Sequence, residues 1–233
     1  MTLFFMHITK TAGGTIKSMF RDCGVPVQFH YPGEAGFHPQ FGYSFATPIL
    51  YGHYIYGAHD RMGLAPNYAC FLRDPIARAL SHFHHLHNVD KSHLGDLARQ
   101  HKTIEAYADQ ARHWEMDNFQ TRVISGVGND VKFRQMTHAH LRLAMENLDA
   151  HFRYIGIFED LKGSLSRLQG FVPELADKLP HVNKGKYERK IADGTLDKLC
   201  DLHRFDLILY DYACELAKTK RSRAAKVAWQ KAS

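Results

Sequence analysis

Residues 3–20 read LFFMHITKTAGGTIKSMF, four large apolar side chains running straight into a turn and then a helical pattern. A run this short and without a polar face fits a strand buried on both sides, as in a parallel sheet covered by helices. Lys10 to Thr15 then form the bend between the carboxyl end of that strand and the amino end of the helix begun by TIKSMF. Such a junction aims several backbone N–H groups and the positive end of a helix dipole at one point. Gly13 and Gly14 let the backbone approach a bulky anion, Thr11 and Thr15 supply hydroxyls, Ala12 keeps the turn small, and Lys10 adds a full charge. The pattern predicts a cradle for a phosphate-like group. The nucleoside-triphosphate loop GxxxxGK[ST] places its lysine after the glycines. Here the order is inverted, and no strand ends in an aspartate placed to hold magnesium.

The rest of the chain continues the same plan. Strand signals lie at Leu3–His7, Ile49–Gly52, Tyr68–Leu72 and Tyr154–Phe158, with helical patterns between them. Helices are expected from GTIKSMFRDCG, closed by Gly24, and from DPIARALSHFHHLHN, with Asp74 as N-cap and Pro75 in the first turn. Long periodic segments follow in TIEAYADQARHWEMDNFQTRVISG and THAHLRLAMENLDA, and GTLDKLCDLHRFDLILYDYACELAKTK is the final helical region. The fold class expected is α/β: a central parallel sheet flanked by helices, with a mostly helical cap over about 91–150 and a basic tail over about 219–233. The whole of 1–233 is expected to be one domain. The Gly-, Pro- and aromatic-rich stretch Gln28–Phe45 reads as a long loop, a candidate with the cap for an acceptor pocket.

A second strand–turn–helix, YACFLRDPIARALSHF, presents Arg73 at the strand end and Ser81 two turns into the helix. Arg by a forked charged contact and Ser by its hydroxyl suit one phosphate. The alternative is a surface pair of Arg73 with Asp74 or another acid.

Together these residues resemble the carbohydrate sulfotransferases, closest to their heparan/chondroitin 2-O-sulfotransferase-like branch. FFMHITKTAGGTIKSMF is similar to that family's 5′-phosphosulfate loop and FLRDPIARALSHF to its 3′-phosphate segment. YGHYIYGAHDRMG, DNFQTRVISG, NLDAHFRYIGIFEDLKGSL and HVNKGKYERKI match further segments in the same order. The resemblance implies a P-loop-kinase-like α/β domain using 3′-phosphoadenosine 5′-phosphosulfate (PAPS) as donor, with no metal required. It implies that Lys10, Thr11, Ala12, Gly13, Gly14 and Thr15 hold the 5′-phosphosulfate, Arg73 and Ser81 the 3′-phosphate, and that Lys184, Gly185 and Lys186 close over the nucleotide. It also implies His53 as the base toward the acceptor hydroxyl and Lys10 as the group at the leaving oxygen. His59, Asp60 and Glu34 are second candidates for the base. Asn118, Thr121 and Arg122 match a recurrent Asn-x-x-Thr-Arg pattern, in which Arg122 meets a ligand or forms a helix-surface ion pair. Ala12 departs from the glycine that many relatives carry.

Charge and composition narrow the partners. The net charge of +6 suits an anionic ligand without choosing among nucleic acid, nucleotide and acidic glycan. The expected partner is a glycan or other hydroxyl-bearing acceptor, not nucleic acid. No apolar run approaches the ~20 residues of a membrane span, and no signal-peptide pattern opens the chain, so a cytoplasmic location is expected. Cys23, Cys70, Cys200 and Cys214 are scattered and expected to be reduced. His82, His84, His85 and His87 cluster, but no ligand pattern completes a metal site, and a helix face carrying imidazoles is the simpler reading. Two other functions compete: a P-loop small-molecule kinase, and a non-catalytic glycan- or anion-binding protein on the same scaffold.

Overall fold

A computed structural model describes residues 2–22, 27–30, 49–172, 175 and 191–224. Its strands are β1 (Leu3–Met6), β2 (Val27–His30), β3 (Ile49–Gly52), β4 (Tyr68–Leu72) and β5 (Phe152–Ile157). They form one sheet in the order β2-β3-β1-β4-β5, and every pairing is parallel. The expected fold class is thus observed: a parallel sheet with helices on both faces. β1 takes the centre, with Leu3 opposite Ile49 and Phe4 opposite Tyr68.

Alternation along β1 explains why it needs no polar face. Leu3 and Phe5 point into a core with Tyr51, Phe71 and the apolar sides of α1 (Gly13–Asp22) and α8 (Leu161–Phe171). Phe4 and Met6 point into the opposite core, built with α6 (Phe119–Ser125), α7 (His138–His151) and α10 (Arg204–Ala224). Aromatic rings fill both faces: Phe5 stacks on Tyr51 with centroids 5.2 Å apart, and Phe4 on Tyr68 at 5.1 Å.

A third core stands off the sheet. It joins α3 (Pro75–Asn88) to α4 (His93–Arg99), α5 (Ile104–Ala111), the 3-10 turn Trp114–Met116 and α9 (Asp193–Leu202). The helical stretch 91–150 therefore divides between two places. Its first part packs around α3, and α6 and α7 return to the sheet, because Phe119, Val123, Ile124 and Leu148 belong to the core over Phe4.

Some expectations need correction. The periodic segment 103–126 is not one helix: left-handed Arg112 (φ 43°) and Asn118 (φ 49°) break it. Residues 28–30, read as loop, lie in the edge strand β2, where Gln28 pairs with Leu50. α10 continues to Ala224, so the first residues of the stretch read as a basic tail are helical. Cys23, Gly24, Glu34, residues 31–45 and Lys184, Gly185 and Lys186 lie outside the described residues. Among the described residues no helix is long and apolar enough to cross a membrane. Cys70, Cys200 and Cys214 are free thiols.

Candidate active site

The carboxyl ends of β1, β3 and β4 meet at one edge of the sheet, the place where open parallel sheets bind ligands. The loop after β1 is held from several sides. Thr11 donates its hydroxyl to the Ile8 carbonyl (2.7 Å), and Thr9 donates to Glu115 Oε2 (3.1 Å). Tyr51 donates to the Gly13 carbonyl (2.7 Å), which ties the first turn of α1 to β3. Lys10 and Ala12 both adopt left-handed backbone, with φ of 69° and 75°. This alternation turns the chain sharply enough for α1 to start within a few residues of the strand.

The two glycines have different surroundings. A Cβ at Gly13 would meet His7 Nε2 at 1.5 Å, so the missing side chain is room for an imidazole. A Cβ at Gly14 meets nothing within 4 Å. Gly14 is the exposed one and leaves the N-terminus of α1 open. Thr11 is buried with its proton committed to Ile8, whereas Thr15 is only half-buried.

Arg73 follows β4 directly, and its side chain bridges the two loops. Its Nη1 donates to the Lys10 carbonyl (3.1 Å), and its guanidinium lies over the Phe158 ring, 4.2 Å from the centroid. Gln120 clamps its backbone, accepting from Arg73 N at 3.0 Å and donating to Arg73 O at 2.9 Å. The next helix starts as expected: Asp74 accepts from Ala77 N (2.7 Å), with Pro75 at the first position. Arg73 is thus not paired with Asp74.

Sequence reasoning missed Arg78. It is fully buried, donates Nη2 to the Glu115 carbonyl, and lies over Phe119 at 4.8 Å. Among the described residues, its Nε and Nη1 have no hydrogen-bond partner. In sequence Arg78 belongs to the polar stripe of α3, with Ser81, His82 and His85, and nothing local marks it as buried. Ser81 and His85 lie three and seven residues further along that helix, on the same stripe as Arg78. His82, beside them, is buried with its Nε2 3.4 Å from Glu115.

Electrostatics join these groups. Burial first, then the Arg73 and Arg78 guanidiniums, push Lys10 below the usual lysine range. Burial, followed by the charge of Arg78, also holds His82 well below its ordinary value, and Lys10 adds to the effect. Two carboxylates act on Arg78, Asp206 and then Glu115, and Glu115 also meets His82. Burial raises Glu115, against the opposing pull of Arg78 and the Thr9 hydroxyl. Positive charge therefore accumulates around Lys10 in a site of low dielectric.

On the other side of Lys10, His53 follows β3, its ring 4.6 Å from that of His7. Burial and then Lys17 lower His53 to about 4. His7 falls to about 3, through burial first, then His53, Lys17 and Lys10. Both imidazoles are neutral near pH 7. His59 is elsewhere: its Nδ1 lies 2.8 Å from the hydroxyl of Tyr68, at the start of β4, and Asp60 flanks it there. These two second-choice bases sit toward the opposite edge of the sheet from His53.

Arg122 is also not where either reading put it. It is fully buried, paired with Asp117 through Nη2, and donates to the carbonyls of Asp117, Gly128, Val131 and Lys132. Asn118 Oδ1 accepts from Phe205 N (2.7 Å) and Asp206 N (3.2 Å) at the start of α10. In return, Asp206 accepts from Gln120 N (3.1 Å) and Thr121 N (2.7 Å) at the start of α6. The Asn-x-x-Thr-Arg pattern is a structural clasp in which each helix caps the other. Among the described residues, no three His, Cys, Asp or Glu side chains converge on a metal position.

No family model matches the sequence, and no curated protein does. Among solved structures, the crystal structure of mouse sulfotransferase SULT7A1 complexed with PAP is similar, with a TM-score of 0.46 and 13% identity. The match covers 89% of this chain and 64% of that one, so this chain spans less than two thirds of that neighbour's length. A likeness at this level assigns no family.

Proposed function

We propose that the protein is a sulfotransferase that moves a sulfuryl group from PAPS to a hydroxyl of a carbohydrate or related acceptor. The observation that carries the reading is Lys10, whose ammonium is held below its ordinary proton affinity by burial and by two guanidiniums, Arg73 from the turn after β4 and Arg78 from α3. An anion in the cradle relieves all three cations at once. The reading also rests on the paired motifs around Lys10 and Arg73, which resemble those of the carbohydrate sulfotransferases.

In this account the open first turn of α1 at Gly14 and Thr15, with Lys10, receives the 5′-phosphosulfate. Arg73 and Ser81 receive the 3′-phosphate, and Lys184, Gly185 and Lys186 close over the nucleotide. Transfer runs in line. The acceptor oxygen forms its bond to sulfur as the bond from sulfur to the bridging oxygen breaks, and that electron pair stays on the 5′-phosphate. Lys10 stabilises the charge arriving there, and the acceptor proton passes to His53, whose imidazole is neutral and able to accept it. Domain boundaries follow the same reading, with 1–233 as one sulfotransferase domain and the acceptor entering over the helical cap.

The test is release of 3′-phosphoadenosine 5′-phosphate (PAP) from PAPS across a panel of hydroxyl acceptors. Acceptor-dependent release is expected, falling about 10²–10³-fold in Lys10→Ala, as when an oxyanion donor is lost. Phosphoryl transfer from ATP to the same panel, with PAPS inert, overturns the proposal in favour of a kinase.

A further inference from the structure

His7 belongs to neither the loop's candidate anion contacts nor the sheet core, yet it meets Gly52, His53, Tyr51 and Gly13. It is the first residue past β1, and its backbone N–H donates to the Gly52 carbonyl (2.7 Å), directly before His53. Its ring occupies the volume that a side chain at residue 13 would need. Tyr51 lies 5.6 Å away on β3, and His53 lies 4.6 Å away at the end of that strand. The charged groups around it are Lys10 from its own loop, Lys17 from α1, and the imidazole of His53.

We infer that His7 is the positioning residue for His53: lodged against Gly13, its imidazole closes the α1 side of His53 to water and sets the plane of that ring. The inference rests on the reading of His53 as the acceptor base. It explains why the chain places a glycine at residue 13 with a helical rather than left-handed backbone, where alanine would serve a helix better. Burial is the first cause of the lowered proton affinity of both rings, so each keeps the other's surroundings dry.

Imidazole NMR titration, with His53 signals identified by their loss in His53→Gln, tests this without any turnover. His53 is expected to titrate near 4 in the wild type. In His7→Ala water enters, and the midpoint should rise by about one unit or more toward the ordinary value of 6.5. His7→Phe keeps the ring against Gly13 and should leave the midpoint low. Gly13→Ala, which displaces the ring without removing it, should raise the midpoint as His7→Ala does. If the midpoint is unmoved in His7→Ala and Gly13→Ala, or equally raised in His7→Phe, His7 does not shield His53. PAP binding measured on the same samples separates the two questions. Binding retained within about threefold in His7→Phe is expected, whereas no PAP binding by the wild type overturns the sulfotransferase reading whatever His53 does.

Discussion

Ala12 shows at the scale of one residue how the loop after β1 is assembled. Its φ of 75° lies in the left-handed region, which costs an L residue about 1–2 kcal/mol and a glycine nearly nothing. Ala12→Gly is therefore expected to raise stability by about 1 kcal/mol, read as a higher urea midpoint; a lowered midpoint would show that the alanine methyl packs better than its backbone is strained. Gly14 makes the opposite case. With nothing within 4 Å of a built Cβ, Gly14→Val should leave folding nearly unchanged while weakening PAP binding at least tenfold, measured by calorimetry. A variant that binds normally would place the ligand away from the first turn of α1. The tight strand–helix junction was legible in KTAGGT, because two glycines and a small residue between a buried apolar run and a helical pattern have few other uses. His7 and Arg78 were not legible. One is an ordinary residue after a strand, and the other looks like the polar face of an amphipathic helix until the fold turns that face inward.

Between elements, the clasp of α6 and α10 illustrates why a motif can be visible and still be misassigned. Asn118, Thr121 and Arg122 stand out in sequence because they are polar residues in an apolar setting, which marks ligand sites and buried structural networks alike. The partners of Asn118 and Thr121, Asp206 and the amides of Phe205 and Asp206, are more than eighty residues away and carry no local signal. Arg122→Met strands the Asp117 carboxylate in the interior and is expected to cost about 3–5 kcal/mol in urea unfolding. A normally stable Arg122→Met that fails to bind PAP would instead return Arg122 to the ligand. Helix starts were more readable: Asp74 followed by Pro75 gave α3 its N-terminus because a capping side chain and a fixed φ act within a few residues. The edge strand β2 was hidden, since VQFH is short and lies beside a Gly- and Pro-rich stretch that dominates local composition.

For the whole molecule, the site leaves a signature in acid stability. His53 and His7 bind protons at about 4 and about 3 in the folded chain, against 6.5 ordinarily. Their contribution is complete above pH 6.5. As pH falls below that, the unfolded chain takes up protons that the folded chain refuses, so stability declines until the folded groups titrate near 4 and 3. Each can steepen the decline by up to ~1.4 kcal/mol per pH unit. His7→Phe removes one of the two, so its urea midpoint should fall less steeply than that of the wild type between pH 6.5 and 4.5; parallel slopes would mean that His7 is not held neutral by the fold. The parallel sheet and its helices on both faces were implied by short apolar strands alternating with helices, a pattern that allows few other arrangements. The central claim is that the cations meeting around Lys10 hold a 3′-phosphorylated nucleotide. The most direct measurement is calorimetric binding of PAP against ADP, for the wild type and Arg73→Ala. The account predicts a clear preference for PAP that disappears in the variant, whereas equal affinity for PAP and ADP, unchanged in Arg73→Ala, would contradict it.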